Sequence, residues 1–304
     1  MSHEKTSLQQ RIDSGKPLLL AELTPPQGGD PAPVREFAER CLGKVHAVGI
    51  TDNRERVSMS ALAAAALVAH EGVEPILHIV TRDRNRIALV SEALGAQALG
   101  IRNLLCTSGT HQTLGTFRSA KNVSDLDPVQ LLQTYAGLTE NGAAVGEAAF
   151  PGLEPFCLGG VASPFADPLE LQIMRLDKKV AAGARFLVTQ PVFDLERFEQ
   201  WWQEVRNCGL QEKVAIVAGV HALIDAEKAK EFAARRPAPR VPVAVLARLA
   251  AAPAAAQRDT GIAIAVETIQ RLAALKGLRG FQVCGNGDPL AALEVLEKAG
   301  IGEK

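Results

Sequence analysis

Residues 45–81 read VHAVGITDNRERVSMSALAAAALVAHEGVEPILHIVT, and the fold is decided there. VHAVGIT at 45–51 and ILHIVT at 76–81 are apolar almost throughout, as strands buried on both faces are. Between them, SMSALAAAALVAHEG at 58–72 returns apolar residues every three or four positions, which predicts a helix packing one face on a sheet. Gly72 stands where that helix must stop before the next strand, because glycine accepts the left-handed backbone that other residues resist. Strand, helix, strand in this form is the crossover unit of a parallel sheet.

The unit recurs in both directions. LLLAEL at 18–23 precedes it, and NLLCTSG at 103–109, PFCLGGV at 155–161, FLVTQPVF at 186–193, VAIVAGV at 214–220 and GFQVCG at 280–285 follow. Helical segments such as LELQIMRLDKKVAAG and DAEKAKEFAARR separate them, and Gly100, Gly183 and Gly209 supply further helix stops. Eight such units without a break in composition favour closure into one (β/α)8 barrel spanning residues 1–304 as a single domain. An open doubly wound sheet is the alternative; it would lead one to look for GxGxxG after an early strand, and none is present. Two stretches depart from the rhythm. About 60 residues lie between strands seven and eight, including RRPAPRVPVAVLARLAAAPAAAQRD, which predicts an extra helix or two beside the barrel. THQTLGTFRSAKNVSDLD at 110–127 is a long polar loop after strand four, at the end of a barrel where function usually sits.

Composition narrows the function. With 304 residues, 47% hydrophobic and 22% charged, the chain can bury a large core and is too apolar for disorder. Its 33 basic residues against 34 acidic ones leave no electrostatic footprint for nucleic acid or an anionic membrane, so a small-molecule partner is expected. The first residues, MSHEKTSLQQRIDSGKP, are polar, and no apolar run approaches the ~20 residues of a membrane span; the cytoplasm is the expected location. The 5 cysteines, at 41, 106, 157, 208 and 284, form no CxxC pair and have no histidine partner at zinc spacing. Neither a disulfide framework nor a metal site is expected, and Cys106, Cys157 and Cys284, each inside an apolar run, read as small core hydrophobes.

In such a barrel the chemistry belongs to polar residues at the carboxyl ends of the strands. Those are Glu22, then Thr51, Asp52 and Asn53, then His78 and Thr81, then Ser108, Gly109 and Thr110, then Thr189 and Gln190, and finally CGNGD after strand eight. Glu22, between LLLA and LTPP, has two readings: a general acid whose pKa an apolar mouth raises, or a carboxylate paired with a basic residue on the rim. Gln190 offers an amide that both donates and accepts, as the edge of a heterocycle demands, though isolated it is also an ordinary strand end. His78, flanked by Leu77 and Ile79, reads first as a satisfied buried histidine, and Lys178 and Lys179 as solvated. Neither GxSxG nor a P-loop appears, which removes support for hydrolysis and nucleotide triphosphate chemistry.

Taken together, the strand ends resemble the methylenetetrahydrofolate reductase family over essentially the whole chain. AELTPP is similar to the family's opening strand with its catalytic Glu, and GITDN to the second strand, which meets the flavin. EPILHIVTRDRNR, IRNLLCTSGTHQ and KKVAAGARFLVTQPVFD are similar to the segments bearing the flavin-contacting histidine, the fourth strand and the folate-contacting glutamine. GGVASPFADPLELQ looks closest to a branch of anaerobic bacteria whose reductase subunit works beside a zinc-containing partner.

The resemblance implies flavin, FAD or else FMN, at the barrel mouth, reduced by NAD(P)H or by a partner-supplied donor, passing a hydride to the methylene carbon on folate. It implies Glu22 as general acid, Thr51, His78 and Gly109 against the flavin with Asp52, Asn53, Ser108 and Thr110 beside them, Lys179 and Arg175 on its phosphate tail, and Gln190 on the folate with Glu22 and Thr110 also meeting that substrate. It also implies a homo-oligomer or a complex with the partner subunit. Two positions depart from the family: Thr110 stands where a carboxylate is usual, and Gln282 where His is frequent. The first leaves room for another one-carbon carrier or amine as substrate, or for a weakened reductase subunit within a larger electron-transfer complex.

Overall fold

The computed structural model describes residues 5–54, 56–140, 150, 152–235 and 239–301. Its strands are β1 (Leu18–Leu23), β2 (Ala47–Ile50), β3 (Pro75–Val80), β4 (Asn103–Thr107), β5 (Cys157–Ala162), β6 (Phe186–Pro191), β7 (Ala215–His221) and β8 (Gly280–Cys284). They follow one another in chain order around a closed barrel, β8 pairing with β1 in parallel. The expected (β/α)8 fold is therefore present, and the open-sheet alternative fails. β3 and β7 are buried along their whole length, which is why they read as unbroken apolar runs. Gly72, Gly100, Gly183 and Gly209 all adopt positive φ, between 64° and 98°, at the ends of helices. Among the described residues, no helix is long and apolar enough to cross a membrane.

The chain forms two compact units. One comprises residues 1–16, 23–161 and 178–186, and the other residues 17–22, 162–177 and 187–304. In the first, the polar amino-terminal segment folds as a helix, Ser7–Asp13, that buries Leu8 and Ile12. Glu74 anchors that helix, accepting from the Leu8 amide at 3.2 Å and from Asn103 Nδ2 at 2.6 Å, while the Thr6 hydroxyl donates to Asn103 Oδ1 at 2.8 Å. Packing between β5 and β6 is close: a Cβ at Gly159 would lie 2.2 Å from the Phe186 ring. The loop at 110–127 contains one short 3₁₀ turn, Gln112–Leu114, and leaves Phe117 exposed.

In the second unit, residues between β7 and β8 build helices Ala226–Arg235, Val243–Ala251 and Gln257–Ala273, as the surplus length predicts. Residues 236–238 of the Pro-rich stretch lie outside the described residues. Leu249 is fully buried in a cluster with Phe193, Leu223 and Phe232, so the Ala-rich helix packs inward on one face while Val243 stays exposed. Helix Leu195–Asn207 buries Phe198, Trp201 and Trp202, whose rings pack on one another.

Candidate active site

The first unit gathers the ends of β2, β3 and β4. Thr51, just past β2, is buried; its amide donates to the Leu23 carbonyl and its hydroxyl to Thr24 Oγ1 at 3.1 Å. Asp52, also buried, accepts from the Val80 amide at 3.1 Å and from Arg84 Nη1 at 2.6 Å, with Asn53 Nδ2 at 3.3 Å. Burial pulls the Arg84 pKa down, but the hydrogen bond and charge of Asp52 outweigh it, leaving a net upward shift. Asn53 turns the chain at φ 39° and accepts from the Ser58 amide. His78 is buried within β3.

Arg82, which the strand-end reading missed, organises this region. Its buried guanidinium donates to the Asn53 carbonyl at 3.0 Å, to both carboxylate oxygens of Asp83 and to the Thr110 carbonyl, and its own carbonyl accepts from the Val123 amide at 2.8 Å. It thus ties the segments that follow β2, β3 and β4. Gly109 has φ +76°, and a Cβ there would lie 2.5 Å from Val80 Cγ1, so only glycine fits the close approach. Ser108 is exposed and Thr110 half-buried. In the loop beyond, the carboxamide oxygens of Gln112 and Asn122 are buried without a donor. Lys179, on helix Leu169–Ala181, donates its ammonium to the Val161 carbonyl near the end of β5; Arg175 on the same helix is exposed.

The second unit brings together β1, β6, β7 and β8. Pairing sets Glu22 beside Cys284, and Cys284 beside His221, so three neighbouring strands place these residues on one row of the sheet. The row two residues earlier holds Leu20, Gln282 and Gly219 on the same face. Gln282 Nε2 donates to Glu22 Oε2 at 2.8 Å, and Gln282 Oε1 is buried without a donor. A side-chain amide therefore holds the carboxyl group that sequence alone left between an acid and an ion pair. Gly219 donates to Thr189 Oγ1 at 3.0 Å, and a Cβ there would lie 2.5 Å from the Thr189 carbonyl, which fixes the end of β6. Gln190 follows, its Oε1 buried and without a donor.

A carboxylate oxygen of Glu22, a ring nitrogen of His221 and Sγ of Cys284 all lie within 4.8 Å of one another. Neither His221 nor this grouping was visible in local spacing, because its members come from three separate strands. Cys106 and Cys157 behave as read: both are buried, and burial pushes the Cys157 thiol up to about 12 and the Cys106 thiol higher still.

The closed ring of eight parallel strands places the protein among the β/α barrels. Within that class the chain belongs to the methylenetetrahydrofolate reductase family, an oxidoreductase family, which it matches over residues 7–300. A probable NADPH-dependent methylenetetrahydrofolate reductase of Caenorhabditis elegans is 25% identical over 181 residues, 60% of this chain and 25% of that protein. The chain thus spans a small part of that relative's length. Among solved structures, an uncharacterised protein from Clostridium thermocellum, described as binding two copies of 5-methyl-5,6,7,8-tetrahydrofolic acid, has a TM-score of 0.64 at 12% identity, covering 96% of this chain and 98% of that one. A 2,3-dimethylmalate lyase reaches 0.52 at 10% identity, covering 98% and 85%. Both likenesses are of fold.

Proposed function

We propose that residues 1–304 form a single flavin-binding barrel that reduces 5,10-methylenetetrahydrofolate to 5-methyltetrahydrofolate. The observation that carries this reading is the buried Glu22 carboxyl held by Gln282 Nε2 at 2.8 Å. That hydrogen bond orients the buried carboxyl as a proton donor. Glu22 protonates the ring nitrogen that leaves the methylene carbon, which opens the imidazolidine ring to an iminium ion; hydride addition at that carbon completes the methyl group, and water reprotonates Glu22. Gln190 Oε1, buried without a protein donor, accepts from a pterin N–H and orients the ring.

The residues of the first unit fit a flavin. Uncharged hydroxyls at Thr51 and Thr110 and the buried acceptors of Gln112 and Asn122 suit a flat heterocycle with donors and acceptors along its edge, with the Gly109 turn carrying the backbone of the same loop. Lys179 at the end of β5 supplies a cation for a phosphate tail. In this reading Asp52, Asn53, Ser108 and His78 contact the same flavin. Bound there, a flavin supplies the hydride. FAD as the flavin, NAD(P)H or a partner subunit as the donor, assembly as a homo-oligomer or with a zinc-containing partner, a cytoplasmic location and a place in methionine biosynthesis belong to the same reading.

Thr110 favours a second reading, a related flavin barrel acting on another one-carbon carrier or amine, because a hydroxyl cannot offer an iminium the charge that a carboxylate does. Rapid-reaction kinetics on Glu22→Gln test the first reading. Flavin content and reduction by the donor are expected to persist while transfer to methylenetetrahydrofolate falls by ~10²- to 10⁴-fold. A folate half-reaction within twofold of wild type would remove Glu22 from the mechanism.

A further inference from the structure

Glu22, His221 and Cys284 offer an oxygen, a nitrogen and a sulfur within 4.8 Å of one another, all from buried residues. We propose that they form a binding site for one thiophilic divalent metal ion of the Zn²⁺ class. The donor set is the borderline-soft mixture that such an ion takes, and three protein ligands with a fourth position open is the habit of reactive zinc centres. With Zn–ligand bonds of ~2.0–2.3 Å, tetrahedral geometry needs donor atoms ~3.3–3.6 Å apart, so small side-chain adjustments from the present spacing suffice.

Backbone register supports the site independently of any rotamer. Glu22 pairs with Cys284 and Cys284 with His221, so the three Cβ atoms stand side by side across β1, β8 and β7. Gln282 provides an outer-shell hydrogen bond to Glu22, as ligating carboxylates require. The His221 ring packs against Phe193 and Phe232, with centroids 6.5 Å and 5.7 Å away, which walls that side of the site with apolar surface. Metal capture replaces the thiol proton of Cys284, and the carboxyl proton of Glu22 where it is held, by metal–ligand bonds and releases these protons to water; no oxidant or reductant takes part.

The site stands on geometry, but its consequence rests on the reductase reading. An ion seated there occupies the carboxyl group that serves as the acid, so metal binding and folate reduction exclude each other. The purified protein, stripped with a chelator, would be titrated with Zn²⁺ against a chromogenic competitor and with Co²⁺ for thiolate charge-transfer bands. One equivalent is expected, with a sulfur neighbour at ~2.3 Å in the zinc-edge absorption spectrum. Cys284→Ser and His221→Ala should each weaken binding by more than the ~10- to 100-fold expected of Gln282→Ala. The zinc-edge spectrum is read on the wild type and does not depend on how the variants fold. Coordination without sulfur, less than one equivalent, or undiminished binding in both variants would overturn the site. In turnover, Zn²⁺ should inhibit and chelator should restore; full turnover with one equivalent bound would overturn the exclusion. No turnover in metal-free protein counts instead against the reductase reading and leaves the binding result standing.

Discussion

Arg84→Ala strands a carboxylate. In the native protein the Asp52 side chain is 1% exposed and Arg84 18%, with Nη1 2.6 Å from Oδ2 and Nη2 3.4 Å from Oδ1. At charge centres ~4 Å apart and an effective dielectric of ~20, the attraction is ~4 kcal/mol, in line with the ~3–5 kcal/mol measured when one partner of a buried pair is removed. A loss of that size lowers the melting temperature by roughly 5–8 °C in a chain this long. Replacing both partners, as in Asp52→Leu with Arg84→Met, removes the stranded charge; what remains is the Val80 amide, which loses its acceptor at 3.1 Å and costs ~1–3 kcal/mol. The double variant is therefore expected to be more stable than Arg84→Ala alone. Urea titrations followed by circular dichroism give the three free energies. Should Arg84→Ala lose under ~1 kcal/mol, or the double variant prove less stable than Arg84→Ala, the reasoning about a stranded charge fails.

Other substitutions probe separate parts of the same structure. Gly109→Ala forces φ +76° on a Cβ and drives it into Val80, so a loss of ~1–3 kcal/mol in chemical denaturation is expected, together with weaker flavin retention on gel filtration; wild-type stability would mean that the β4 loop relaxes freely. Glu92 has its pKa raised by burial, with Arg84 opposing and Asp52 assisting, so the folded protein holds that proton harder than the unfolded chain does. The resulting stability is present below the ordinary value of 4.5 and is lost as pH rises through the folded pKa. Glu92→Gln should therefore gain under ~1 kcal/mol at neutral pH and nothing in acid, and a gain that grows in acid would reverse the sign. Thr110→Asp places a charge worth up to ~4 kcal/mol at ~4 Å beside the proposed flavin, reduced by the nearby Arg82 guanidinium. A more negative flavin potential and faster folate reduction are expected; an unchanged potential would put Thr110 away from the ring.

The strands were legible because each is buried on both faces and so reads as an apolar run; β3 and β7 leave no exposed position to blur the signal. The extra helices before β8 were legible from length alone. Gln190 and Glu22 could be singled out as candidates because barrel chemistry is expected at strand ends, a rule that needs no coordinates. What could not be read was partnership. Gln282 was noticed as a departure from the family, but its hydrogen bond to Glu22 joins residues 260 positions apart. Cys284 looked like core filler and is indeed buried, yet its neighbours on the row, Glu22 and His221, come from other strands. Arg82 and Arg84 sit in a charged loop segment, RDRNR, whose residues look solvated until the buried carbonyls and carboxylate that they serve are seen.

Arg82 also bears on how such a barrel can change over evolutionary time. Barrel enzymes ordinarily diversify by exchanging one loop for another, since each loop hangs from its own strand. Here a single guanidinium grips the backbone carbonyls of Asn53 and Thr110 while its own carbonyl takes the Val123 amide. Lengthening any of these loops near its root would withdraw a carbonyl from a fixed donor, so insertions are confined to the tips. The grip is on main-chain atoms, however, and is indifferent to the side chain displayed. Thr110 can thus differ from a carboxylate without disturbing the loops, and on this side of the sheet new specificity is open to point substitution where it is closed to loop grafting.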